Sequence, residues 1–142
     1  MLPLLEVSEL VKHYPVDGGL FRRSRDPVRA VDGLSFHVDK GETLSIVGES
    51  GCGKSTVGKA VLRLIEPTGG DLRLGGQSYV EAHGGALKAV RRRLQAVFQD
   101  PYSSLNPRMR VRDAIAEPLE NFGLARSSAE TTEKVRDLLA QV

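Results

Sequence analysis

Cysteine and long apolar runs are both scarce in this sequence. Its 142 residues include a single cysteine, Cys52, which cannot form an internal disulfide and suits a reducing cytoplasm. No apolar run approaches the roughly 20 residues that a bilayer-spanning helix needs. The N-terminus lacks the basic start and apolar block of a signal peptide. We therefore expect that, if the protein acts at a membrane, it acts from one side of the bilayer without spanning it.

A strong charge of either sign is also missing. Lysine and arginine number 20 against 18 acidic residues, which gives a net charge of +2. That balance is too weak to indicate a nucleic-acid partner. The 40% hydrophobic and 27% charged content is ordinary for a soluble globular protein.

Hydrophobic periodicity predicts an alternation of strands and helices. Residues 28–42 indicate two short strands with turns at Asp32-Gly33 and Lys40-Gly41. A helix begins at Lys54 and ends before Pro67. The remaining predicted strands are 4–16, 43–48, 71–76 and 95–100, and the remaining helices are 85–94, 111–123 and 127–142. In the last of these, Ser127 and Glu130 have the spacing of a capping box.

Glycine is concentrated between a predicted strand and the helix that begins at Lys54. The segment GESGCGKS, residues 48–55, matches G-x-x-x-x-G-K-[ST] at every fixed position. Glycines let successive N–H groups curl around an anion, and the helix start adds its own unpaired N–H groups. The predicted contact residues are Gly48, Glu49, Ser50, Gly51, Cys52, Gly53, Lys54, Ser55 and Thr56.

Two side chains of this loop have specific predicted roles. The Lys54 ammonium is expected to contact the terminal phosphates, and the Ser55 hydroxyl to ligate Mg²⁺ beside them. The simpler interpretation is a glycine-rich turn without a ligand, but its place between a strand and a helix favours phosphate. Cys52 is interpreted as a small side chain at a variable position rather than a redox switch.

A second motif, VFQDPYSSLNPRM, spans residues 97–109. The Gln99 amide can both donate and accept a hydrogen bond, so it suits contact with a metal-bound water or a phosphate. From this segment alone, a plain surface loop is an equally good interpretation.

Together, VGESGCGKST and VFQDPYSSLNPRM resemble the ATP-binding subunits of ABC transporters, and most closely the dipeptide/oligopeptide uptake group. The resemblance covers essentially the whole chain. It implies an α/β P-loop NTPase of ABC type with an N-terminal antiparallel β part. Residues 1–100 then form the N-terminal part of the nucleotide-binding core, and residues 101–142 the start of the helical subdomain.

The resemblance also implies residue roles. Tyr14 matches the aromatic residue that stacks on adenine, with a strand tyrosine in the core as the alternative. Gln99 matches the glutamine that approaches Mg²⁺ and the γ-phosphate and couples to the membrane subunits. Lys54 and Gln99 are thus the expected catalytic residues, Ser55 and Gln99 the expected metal contacts, and ATP and Mg²⁺ the expected cofactors.

The resemblance implies a second, homologous ATPase subunit as partner in a heterodimer beneath two transmembrane permeases, with an extracytoplasmic solute-binding protein acting indirectly. The implied location is the cytoplasmic face of the membrane, with no nucleic-acid partner. No signature motif, second acidic strand or switch histidine follows Gln99. We therefore expect an N-terminal fragment of an ATPase that alone does not hydrolyse ATP. Import of another solute, such as nickel or an opine-like compound, and a soluble non-transport ABC ATPase are the alternatives.

Overall fold

The computed structural model describes residues 2–16, 25–100 and 104–142. The chain divides into two compact units, Met1–Gln95 and Ala96–Val142. The assignment of residues 1–100 to a nucleotide-binding core and 101–142 to a helical subdomain stays a prediction.

The first unit contains an antiparallel sheet of four strands in the order β2-β1-β3-β4. This confirms the expected N-terminal antiparallel part, including the strand predicted over residues 4–16. The strands are β1 Leu5–Val16, β2 Arg25–Val38, β3 Gly69–Leu74 and β4 Gln77–Ser78.

β2 is one long strand, so the prediction of two short strands with a turn at Asp32-Gly33 is wrong. Leu10 lies opposite Leu34 and Val11 lies opposite Asp32, which leaves Gly33 without a partner on β1. Gly33 has φ +76°, a conformation that glycine adopts without strain. Gly33 therefore forms a bulge inside the β1–β2 ladder and does not reverse the direction of the chain.

Helix α1, Lys54–Val61, packs against β1 and β2. It is shorter than predicted because Leu62 caps it and Arg63 adopts a left-handed conformation with φ +55°. The Tyr79 hydroxyl donates to the Val61 carbonyl at 2.9 Å, and burial raises the pKa of Tyr79 to about 12. The core consists of Val7, Leu10, Val31, Val57, Ala60, Leu72, Leu74 and Tyr79.

Two predicted strands are not formed. Residues 43–48, directly before the glycine loop, and residues 95–100 contain no strand, and in the described chain no segment pairs with either. Their apolar side chains are exposed, with Val47 at 87% and Val97 at 102% of full accessibility. A strand needs ladder hydrogen bonds from a neighbour, so apolar composition alone does not produce one.

The remaining helices follow the sequence closely. Helix α2, Gly84–Arg93, belongs to the first unit. In the second unit, α3 Val111–Asn121 and α4 Ser128–Leu139 contact each other, and the Arg112 guanidinium donates to the Thr132 hydroxyl at 2.9 Å. None of the described helices is long and apolar enough to cross a membrane.

Candidate phosphate-binding site

The glycine loop of residues 48–53 leads directly into the first turn of α1. Gly51 and Gly53 have φ +83° and +98°, in the region that side-chain-bearing residues rarely adopt. A Cβ atom on Gly51 would meet nothing within 4 Å, so its requirement is conformational. These dihedrals let the backbone turn sharply while its surface stays free of side chains, as a cradle for an anion requires.

Gly53 has a second reason to be glycine. A Cβ atom there would lie 2.2 Å from the Ala30 carbonyl oxygen, so the loop and β2 are in direct backbone contact. On β1, Lys12 lies opposite Val31 and His13 lies opposite Arg29, which leaves Ala30 as the extra residue of a bulge. Bulges of this kind re-aim the strand beside functional sites. Here the bulge presents the Ala30 carbonyl to the loop and seats the start of α1 on the sheet.

The N-terminus of α1 is open to an anionic ligand. Its N-cap is Gly53, which offers no side chain to the first N–H groups, and its first turn contains no acidic residue. The positive end of the helix and its unpaired N–H groups therefore remain available. Lys54 and Ser55 belong to this first turn.

The Lys54 ammonium closes the loop on itself. Its Nζ donates to the carbonyls of Gly48 at 2.8 Å and Glu49 at 2.6 Å, and lies 3.5 Å from the Cys52 sulfur. An ammonium has three donors in total. A phosphate bound by Lys54 would therefore replace some of these loop contacts. The net free energy of that binding is smaller than it would be for a lysine without partners.

A cavity of about 440 Å³ lies between the loop and β2. It is lined by most of the residues predicted to contact phosphate, together with one short stretch of β2 that no sequence motif marks. Gly48 and Glu49 are not among its lining residues. The lining consists of Val28, Arg29, Ala30, Ser50, Gly51, Cys52, Gly53, Lys54, Ser55 and Thr56.

Tyr14 does not line this cavity, but it lies next to it. Its partner in the β1–β2 ladder is Val28, which does line the cavity, and paired residues share one face of a sheet. Tyr14 as a residue is 39% exposed, so the alternative of a buried core tyrosine does not fit. The Lys12 ammonium lies 5.0 Å from the ring centroid, a cation–π distance.

A cluster of charged groups adjoins the β2 stretch. The His13 ring Nε2 lies 2.8 Å from Asp32 Oδ1, and Arg29 Nη1 lies 3.4 Å from Asp32 Oδ2. The hydrogen bond with His13, helped by the nearby Arg29 charge, holds the pKa of the Asp32 carboxyl below its usual value. Asp32 is therefore ionised at neutral pH and remains an anchor for both neighbours.

Gln99 belongs to the second unit, where it is exposed and lies outside any helix or strand. Its predicted contacts with metal and phosphate stay a prediction. In the described residues no group of three or more His, Cys, Asp or Glu side chains could hold a metal ion. The Ser55 hydroxyl fits a single-ligand role, because Mg²⁺ usually keeps several waters and takes few protein ligands.

The sheet, the helix that begins at the loop and the glycine cradle define a domain of the P-loop class. The family model described as "ABC transporter" matches residues 31–142. The chain belongs to this family.

Relatives and a solved structure agree with that assignment. The chain is 49% identical over 139 residues to "Probable peptide ABC transporter ATP-binding protein y4tS" of Sinorhizobium fredii, covering 98% of this chain and 39% of that protein. It is 47% identical to "Oligopeptide transport ATP-binding protein AppF" of Bacillus subtilis, covering 98% and 42%. The chain thus spans about two fifths of the length of these relatives.

The fold is shared with a dimeric ATP-binding cassette, MJ0796, solved in a post-hydrolysis state bound to ADP and Pi. The TM-score is 0.74 at 22% identity, over 96% of this chain and 56% of that one. At this identity the likeness shows the fold alone, and it confirms the predicted ABC-type fold class.

Proposed function

We propose that this chain is the nucleotide-binding part of the energy-coupling ATPase of an ABC importer for di- or oligopeptides. The observation that carries the proposal is the glycine cradle. It is seated on β2 through Gly53, continues into an uncapped helix start and contains Lys54. The names of the relatives concern peptide transport and support the substrate class.

The magnitudes rank the contributions to phosphate binding. A helix terminus offers an exposed anion about 0.3–1 kcal/mol, whereas a charge-assisted hydrogen bond contributes about 1.5–3 kcal/mol. Lys54 and the loop N–H groups therefore dominate, and the α1 dipole assists. The loop carbonyls that now accept from Lys54 lower its net contribution toward the bottom of that range.

Tyr14 is the residue we assign to the adenine base. Stacking of a base on an aromatic ring contributes about 1–3 kcal/mol. Lys12 lies over the ring and also donates to the Glu66 carbonyl at 2.7 Å, which fixes its position. Tyr14 is 39% exposed, so part of its surface is accessible to a base.

ATP supplies the energy of the coupled step, and Mg²⁺ supplies charge neutralisation at its terminal phosphates. We assign Ser55, which belongs to the first turn of α1, to contact the metal, and Gln99 to sense the same phosphates. We assign the second unit to the surface that meets the transmembrane subunits. The whole protein then acts at the cytoplasmic face of the membrane with a second ATPase subunit, two permeases and, indirectly, a solute-binding protein. We expect no nucleic-acid partner.

Titration of the 142-residue chain with MgATP tests the nucleotide role. Lys54→Ala should weaken binding by about 10-fold, the lower limit for one charge-assisted contact. Lys59→Ala is the matched control, because Lys59 is exposed on the same helix but does not line the cavity. Unchanged affinity in a folded Lys54→Ala variant would contradict the phosphate role.

The transport role needs a separate measurement. Affinity capture from membranes should recover permease subunits together with the protein, and loss of the protein should abolish uptake of labelled di- or oligopeptides. If loss of the protein abolished uptake of nickel or an opine-like compound but not of peptides, that solute would replace peptides as the proposed substrate class. Recovery without any permease would favour a soluble ABC ATPase.

A further inference from the structure

Arg29 occupies a specific place between the two predicted halves of the nucleotide site. Along β2, Val28 lies opposite Tyr14, Arg29 follows it, and the Ala30 carbonyl contacts the loop at Gly53. Two residues of a strand span about 6.6 Å. The order from aromatic ring to glycine loop therefore places Arg29 at the intermediate position, and Arg29 lines the shared cavity.

The Arg29 guanidinium has capacity to bind an anion. Its side chain is 67% exposed, and its contact with Asp32 is a long one of 3.4 Å. The other oxygen of Asp32 is engaged by His13 at 2.8 Å. A guanidinium has five N–H donors in a planar fork that matches phosphate oxygens. Asp32 can therefore orient the Arg29 side chain while most N–H donors of the exposed guanidinium stay available to a phosphate.

We propose that Arg29 binds the α-phosphate of the nucleotide, at the junction between the base and the terminal phosphates. This inference rests on the proposed nucleotide-binding function. Different phosphates are thereby assigned to different cations. Lys54 contacts the terminal phosphates, and Arg29 contacts the α-phosphate, which AMP, ADP and ATP all carry. The bulge at Ala30 is the structural cause, because it aims this stretch of β2 at the loop.

Titrations of the 142-residue chain with AMP, ADP and MgATP, followed by NMR or calorimetry, test the assignment. Arg29→Gln should weaken all three nucleotides by the same factor, about 10-fold. Lys54→Ala should weaken ADP and MgATP while leaving AMP unchanged. Arg29→Lys should recover part of the affinity, because it keeps the charge but loses the planar fork.

Arg92→Gln is the matched control, since it removes the same charge from an exposed position of α2 outside the cavity. Circular dichroism and thermal unfolding establish that each variant is folded. A loss in Arg29→Gln no larger than in Arg92→Gln would overturn the inference. A loss that grows from AMP to MgATP would place the contact at the terminal phosphates and overturn the α-phosphate assignment. Failure of the unmodified chain to bind any of the three would instead refute the proposed function, and the inference with it.

Discussion

The Gly53→Ala substitution places a methyl group where the backbone of β2 already lies. The new Cβ atom would be 2.2 Å from the Ala30 carbonyl oxygen, and the residue would keep a φ of +98°. Neither strand nor loop can give way easily, because Arg29 and Val31 on either side of Ala30 pair with β1 and Gly53 is the N-cap of α1. We therefore expect both the fold and the loop geometry to suffer.

The magnitude follows from two terms. A left-handed conformation costs a non-glycine residue about 1–2 kcal/mol. Forcing an extra carbon into a closely packed contact costs about 1–3 kcal/mol. The free energy of unfolding should thus fall by about 2–5 kcal/mol, which is a large share of the roughly 5–15 kcal/mol of a typical domain.

Urea unfolding and MgATP titration of three variants separate stability from function. Gly70→Ala has the same two costs, since Gly70 has φ +92° and its Cβ would lie 2.4 Å from the Glu9 carbonyl oxygen. Gly70 does not line the loop cavity, so this variant should lose stability but keep its nucleotide affinity. Gly51→Ala meets open space and should lose only the conformational term of about 1–2 kcal/mol.

A free energy of unfolding for Gly53→Ala within about 0.5 kcal/mol of that of the unmodified chain, the usual range for surface changes without consequence, would contradict the predicted clash. Weakening of MgATP binding by Gly70→Ala as strong as that by Gly53→Ala would contradict a specific role of the loop. The first result would mean that the loop does not sit against β2. The second would mean that the affinity loss reports general destabilisation.

Three smaller predictions concern stability and are measured by urea unfolding. Gly58→Ala should stabilise the chain by about 0.5–1 kcal/mol, because Gly58 is exposed inside α1 without a left-handed φ and an added Cβ meets nothing within 4 Å; a loss of stability would contradict this. Ser127→Ala should cost about 1 kcal/mol, because the Ser127 hydroxyl accepts from the Glu130 N–H at 3.2 Å at the start of α4, and an unchanged midpoint would argue against the cap. Asp71 accepts from the Ser78 hydroxyl and from Arg73, and these hydrogen bonds hold its pKa below the usual value. Its stabilising effect is therefore complete above the unfolded pKa of about 3.9 and is lost as the pH falls below it, so Asp71→Asn should flatten the acid limb of the stability profile.

The glycine loop and the helix start after it could be predicted because their signals are local. The glycine positions, the lysine and the change to a helical period all lie within about twenty residues, and each has a direct physical reason. The capping box is equally local, and the structure confirms its first half through the bond from Glu130 to Ser127. Its second half differs, because the Glu130 carboxylate accepts from the N–H of Arg126 rather than from the N-cap residue.

The β2 wall of the cavity could not be predicted in the same way. Val28 and Arg29 carry no motif, and their place depends on the pairing of β1 with β2. The bulge at Ala30 depends on the same pairing. Its role becomes visible only in the structure, where the Ala30 carbonyl lies against the loop at Gly53. The sequence does contain one signal of an irregular strand, because a glycine inside a strand, such as Gly33, often marks a bulge.

The strands predicted at residues 43–48 and 95–100 failed for a related reason. A helix satisfies its hydrogen bonds within itself, so periodicity is nearly sufficient to predict it. A strand takes its hydrogen bonds from another segment, and the described residues provide none for these two. Apolar composition therefore predicts that such a segment can pair, but not that it does.

The exposed stretch before the loop has a consequence for handling the protein. Leu44, Ile46 and Val47 present apolar side chains to solvent in a segment that no strand of the described chain covers. Such a segment is a template for pairing with an identical copy. Preparations of the 142-residue chain should therefore self-associate as concentration rises, and light scattering should detect it. Charged substitutions at Val47 should keep the chain dispersed at concentrations where the unmodified form precipitates.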